Sequence, residues 1–131
     1  MAKITSNIKT ELYKIEIKSP SGNVLIADEP IEQGGKDVGF SPKELLASAL
    51  AACTSATVRM YADRKEWNLQ EVKTEIELDY IKEENKTVIN RKIEFIGNLD
   101  ADQRTRLQKV AETCPIHKIL NSPIEINTTS L

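Results

Sequence analysis

The chain has 131 residues, 40 % of them hydrophobic and 29 % charged. That is ordinary globular composition and excludes a disordered or fibrous chain. Eighteen basic against 20 acidic residues give a net charge of −2, spread evenly along the sequence. No cationic surplus is left to neutralise a nucleic-acid backbone, so nucleic acid is not an expected partner.

The length suits a single domain over 1–131. The strongly apolar run Leu45 to Cys53 is broken by Ser48. It falls well short of the ~18 residues that a membrane span needs, so no membrane association is expected. The N-terminal stretch lacks the apolar core of a secretory signal, which makes the cytoplasm the expected location. Two cysteines cannot build a disulfide scaffold, and in a reducing compartment they are either core filler or redox thiols.

Tyr13, Ile15 and Ile17 alternate with charged residues, which predicts a strand. Ser19 to Asn23 is a turn cluster, and Val24 to Ala27 a partner strand. Pro30 to Phe40, with Gly34, Gly35 and Gly39, reads as a loop. Ser41-Pro42-Lys43-Glu44 is a capping box with proline at the first helical position. It predicts a helix running to about Lys65. The first half of that helix is apolar or small on nearly every side, from Leu45 to Ala56. Such a helix is expected to be buried, and one small domain has few elements to cover it, which points to a second subunit.

Val72 to Tyr80 alternates cleanly, and Glu84-Asn85-Lys86 is the turn to a return strand. That strand places Ile89, Ile93, Phe95 and Leu99 on one face, with Arg91 among them. Asp100 and Gln103 frame the start of a second helix. Leu107, Val110, Ala111 and Cys114 form its apolar stripe. Pro115 ends that helix and opens a short new one, and Pro123 to Thr128 reads as a final strand. The predicted class is α+β with antiparallel strands.

Cys53 lies mid-helix beside Thr54, Ser55 and Thr57, whose hydroxyls could donate to a thiolate. It is also small enough to be simple core filler. Cys114 stands at the start of the Pro115 helix, where unpaired amides favour a thiolate; equally, it closes an apolar stripe. Sequence cannot say whether these thiols, 61 positions apart, meet. Glu44 is accounted for by the capping box, and support for a thiol is its alternative role. On one helix Glu44 and Cys53 face opposite sides, roughly 13 Å apart along the axis. Cys114, His117 and Cys53 make a poor zinc set, and no metal is expected. Arg91 on an apolar face reads as a snorkelling or paired side chain.

Gly39 to Leu46, Ala49 to Thr54, Arg59 to Lys65 with Trp67, Gly97 to Asp100 and Cys114-Pro115-Ile116-His117 together resemble the OsmC/Ohr family of osmotically inducible and organic hydroperoxide resistance proteins. The resemblance implies an OsmC-like α+β fold in which antiparallel sheets wrap long central helices in an intertwined homodimer. It further implies that Cys53 is the peroxidatic and Cys114 the resolving cysteine. The implied substrates are organic hydroperoxides, with a dithiol reductant and no cofactor. The alternative reading is a non-enzymatic dimer of the same fold that binds a small apolar ligand between subunits. The sequence departs from the family pattern in one respect. The family's peroxidases pair an N-terminal arginine with a glutamate directly after the helix-start proline. Here no arginine precedes Arg59, and Glu44 stands one place later, marking a divergent subgroup.

Overall fold

The computed structural model describes all 131 residues. They divide into two compact units, 1–46 and 47–131.

The first unit is a three-stranded antiparallel sheet of β1 (Thr5–Ile8), β2 (Ile15–Lys18) and β3 (Val24–Ala27). The turn at Ser19–Asn23 is closed by the Ser19 side chain, whose Oγ accepts from the Asn23 amide at 3.1 Å. After β3 the chain makes a 3-10 turn at Ile31–Gln33 and returns to pair Phe40 with Ala27. Asp28 organises this loop. Its side chain is 1 % exposed, and its carboxylate accepts four backbone N–H groups, from Tyr13, Glu29, Lys36 and Val38. Burial alone would raise its pKa, but those four donors outweigh it and hold the carboxyl below the usual 3.8. Gly35 is required beside it, because a Cβ there would meet the Glu29 carbonyl oxygen at 1.9 Å. Ala27 and Asp28 are the only buried residues of this unit. Ile8, Val24 and Leu25 of its sheet are exposed, so the unit has no hydrophobic core of its own.

Helix α1 (Pro42–Lys65) opens with the expected capping box: the Ser41 amide donates to Glu44 at 2.8 Å, and the Glu44 amide to Ser41 Oγ at 3.2 Å. Its positive end thus meets Glu44, and Arg64 and Lys65 occupy the negative end. Strands β4 (Asn68–Ile81) and β5 (Lys86–Asn98) form one long antiparallel hairpin. A 3-10 turn at Lys82–Glu84 and a left-handed Asn85 close it. Helices α2 (Ala101–Ala111) and α3 (Pro115–Leu120) follow. Asp100 and Gln103 complete both halves of the capping box of α2. The core is Val58 and Ala62 of α1, Leu69 of β4, and Leu107 and Ala111 of α2. Tyr61, Trp67, Val72, Ile93, Phe95 and Leu99 pack around it. Arg104 ties α2 to the end of β5 through the carbonyls of Phe95, Gly97 and Leu99.

Two sequence expectations need correction. Residues 123–128 form no strand; Ile124 and Ile126 are exposed, and a strand requires neighbouring backbone groups that this segment does not find. The apolar length of α1 also extends beyond Cys53. By length and composition the whole helix could cross a membrane, a test that core helices also pass. Within one chain α1 buries only Leu50, Thr54, Val58 and Ala62, a stripe at every fourth residue. Leu46, Ala49, Ala52, Ala56 and Met60 remain exposed.

Candidate active site

Thr54 belongs to the buried stripe of α1, and Cys53, one residue earlier, is rotated off it and is half-buried. The Thr54 hydroxyl is fully committed. It donates to the Leu50 carbonyl at 2.7 Å, and its oxygen accepts from Arg91 Nη1 at 3.0 Å. Arg91 comes from β5, opposite Ile76 of β4, on the face that carries Ile93 and Phe95. Its second terminal nitrogen, Nη2, lies 3.1 Å from His117 Nδ1. A guanidinium only donates, so Nδ1 of His117 is the acceptor in this contact.

His117 leads to the second thiol. Its backbone N–H donates to Cys114 Sγ at 3.3 Å. Cys114 is the N-cap of α3, fully buried, with φ −63° and ψ 142°. Pro115 dictates that extended conformation by disfavouring helix at the preceding residue. Both cysteines are free thiols.

These bonds join Thr54 of α1, Arg91 of β5 and the Cys114–His117 start of α3 into one chain. Arg91 makes no ion pair; the two salt bridges of the protein are Lys18–Glu16 and Arg59–Asp63. A hollow of about 270 Å³ lies against it, lined also by Ile93, Phe95, Gln108 and Glu112. No group of histidine, cysteine and carboxylate residues has the geometry of a metal site.

Glu44 serves its own helix start. The backbone amide of Ser41, then its hydroxyl, hold the Glu44 carboxyl below its ordinary range against a smaller effect of burial. Because α1 is continuous, Glu44 and Cys53 stay nine residues apart on opposite sides of it. Sequence reasoning singled out Cys53 and Cys114, with Glu44 as possible support; it weighed His117 only as part of a poor zinc set and gave Arg91 only a structural role. The usable signal was the charge itself: a cation at an otherwise apolar strand position needs acceptors, and these come from other elements. Asp28 went unnoticed, although an aspartate leading into a glycine-rich loop is a plausible acceptor for that loop's amides.

Residues 34–129 match the family of OsmC-like proteins. The chain belongs to that family. The OsmC fold is found again in solved structures. A protein of Psychrobacter arcticus, named for osmotic stress induction and a detoxification response, is 25 % identical with a TM-score of 0.79. The match covers 91 % of this chain and 88 % of that one. The organic hydroperoxide resistance protein OsmC of Legionella pneumophila is 22 % identical, with a TM-score of 0.67 over 92 % and 88 % of the two chains. The organic hydroperoxide resistance protein OhrB of Bacillus subtilis is also 22 % identical, with a TM-score of 0.62 over 91 % and 89 %. The comparison with curated proteins found no match. The low identities fit a divergent OsmC-like subgroup, as the departures around Pro42 suggested.

Proposed function

We propose that this OsmC-family protein is a cysteine-based thiol peroxidase that reduces organic hydroperoxides with a dithiol. The Cys53 thiolate attacks the outer oxygen of the hydroperoxide. The O–O bond breaks, the alkoxide takes a proton and leaves as the alcohol, and Cys53 becomes a sulfenic acid. The Cys114 thiolate attacks that sulfur; an S–S bond forms and water departs. A dithiol then reopens the disulfide by two exchanges and is itself oxidised. The observation that supports this reading best is the Thr54–Arg91–His117–Cys114 chain of hydrogen bonds, which starts one residue from Cys53. Family membership and the hydroperoxide resistance proteins among its structural neighbours agree with it.

The working form in this reading is a cytoplasmic homodimer, free of metal and prosthetic group. The exposed apolar face of α1 and the coreless first unit support that assembly. A second reading is a non-enzymatic dimer that holds a small apolar ligand between subunits. The complete burial of Cys114 favours it.

Cumene hydroperoxide plus a dithiol separates the two. Wild type should consume the peroxide and, without reductant, form a Cys53–Cys114 disulfide within one chain. Cys53→Ser should be inactive, and Cys114→Ser should stop at a sulfenic acid. Equal slow consumption by wild type and Cys53→Ser would overturn the peroxidase reading.

A further inference from the structure

We propose that Arg91 is the positioning residue for disulfide formation, a clamp whose two terminal nitrogens hold the Cys53-bearing and Cys114-bearing segments together. The inference rests on the thiol-pair reading above and names the side chain that serves it.

Arg91 is half-buried on a strand face that otherwise carries Ile93 and Phe95. Removing a guanidinium from water has a cost that a nearby carboxylate commonly offsets. No carboxylate lies within 4.0 Å of it, because neither salt bridge of the protein includes it. Its two acceptors are neutral, and they come from distant parts of the sequence. Thr54 is 37 residues away and His117 is 26 residues away. One adjoins Cys53, and the other gives its amide hydrogen to Cys114 Sγ.

Each acceptor is also held in orientation. Thr54 has its hydroxyl hydrogen on the Leu50 carbonyl, which leaves its lone pairs for Arg91. His117 sits in the first turn of α3, next to the thiol it bonds. The planar fork of arginine can satisfy two acceptors on two elements at once. A lysine ammonium at the end of a flexible stem is a point charge and cannot fix both directions. Disulfide formation needs two sulfurs brought to bonding distance, and small displacements of reacting atoms can cost about a hundredfold in rate. A clamp tied to both segments is suited to preventing such displacement. Arg91 touches neither reacting sulfur in any bond observed, so it acts through Thr54 and His117.

The experiment measures the two half-reactions apart. Diamide oxidises two thiols to a disulfide, taking up two electrons and two protons, and needs no peroxide chemistry. The rate of Cys53–Cys114 disulfide formation with diamide should fall about tenfold or more in Arg91→Met. With cumene hydroperoxide, Arg91→Met should accumulate the Cys53 sulfenic acid in place of the disulfide, trapped by a dimedone probe. Arg91→Lys should resemble Arg91→Met, because it retains the charge and loses the fork. Should Arg91→Met fail to fold, His117→Leu removes one acceptor and should slow the same step. Wild-type disulfide rates with diamide in folded Arg91→Met, or in His117→Leu when Arg91→Met does not fold, would overturn the clamp. So would full activity of Arg91→Lys. Failure of Cys114→Ser to form a Cys53 sulfenic acid with cumene hydroperoxide would instead defeat the peroxidase reading, while the diamide rates would still decide the clamp.

Discussion

Replacing Thr54 with valine keeps the shape and β-branching of the side chain and removes only the hydroxyl. Thr54 is fully buried, so the change acts on two hydrogen bonds and one methyl. The bond to the Leu50 carbonyl contributes little, because that oxygen keeps its helical partner, the amide of residue 54. The bond from Arg91 is the larger loss. A hydrogen bond from a charged donor contributes about 1.5–3 kcal/mol. Arg91 is half-buried, so water can reach the freed N–H and the lower part of that range applies. Burying a methyl in place of the hydroxyl returns about 0.8 kcal/mol. The net destabilisation is then about 1 kcal/mol. With a urea slope of about 2 kcal/mol per molar, the midpoint should fall by roughly 0.5 M. Urea unfolding at one fixed chain concentration reads this directly, since assembly makes stability concentration-dependent. In an Arg91→Met background only the methyl contribution remains, so the same substitution should stabilise by about 0.8 kcal/mol, which gives a coupling of about 1.5–2 kcal/mol, the contribution of the Arg91 bond itself. A Thr54→Val protein as stable as wild type, or equal costs in both backgrounds, would refute the reasoning.

Sedimentation should give twice the 14.7 kDa chain mass, with no folded monomer on dilution; a stable monomer would leave the apolar face of α1 unexplained. Asp28→Asn loses acceptor capacity toward the amides of Lys36 and Val38 and should lower the urea midpoint at neutral pH. The folded-state pKa of Asp28 is depressed, so its contribution is fully present above 3.8 and disappears as pH falls through the lower folded-state value. The midpoints of wild type and Asp28→Asn should therefore converge below that pH, and a gap that ignores pH would contradict the four-donor account.

Much of the fold was legible because short-range contacts write it. The capping boxes at Ser41/Glu44 and Asp100/Gln103 act over three residues. The alternation of β4 and β5 and the break at Pro115 are equally local. The two cysteines could be named because they are chemically rare in the chain and because their flanking residues resemble a family motif. Residues 123–128 alternate as a strand would, but alternation supplies no partner, and the segment stays irregular. For α1 the sequence specified an apolar helix, whereas packing selected the single stripe from Leu50 to Ala62 that one chain buries. The roles of Asp28 and Arg91 were set only in the tertiary structure. Asp28 collects amides from Tyr13 to Val38, and Arg91 reaches Thr54 and His117 across 37 and 26 residues. A charged side chain taken from water needs acceptors or donors at hydrogen-bond distance, and for these two residues the packing of separate elements provides them.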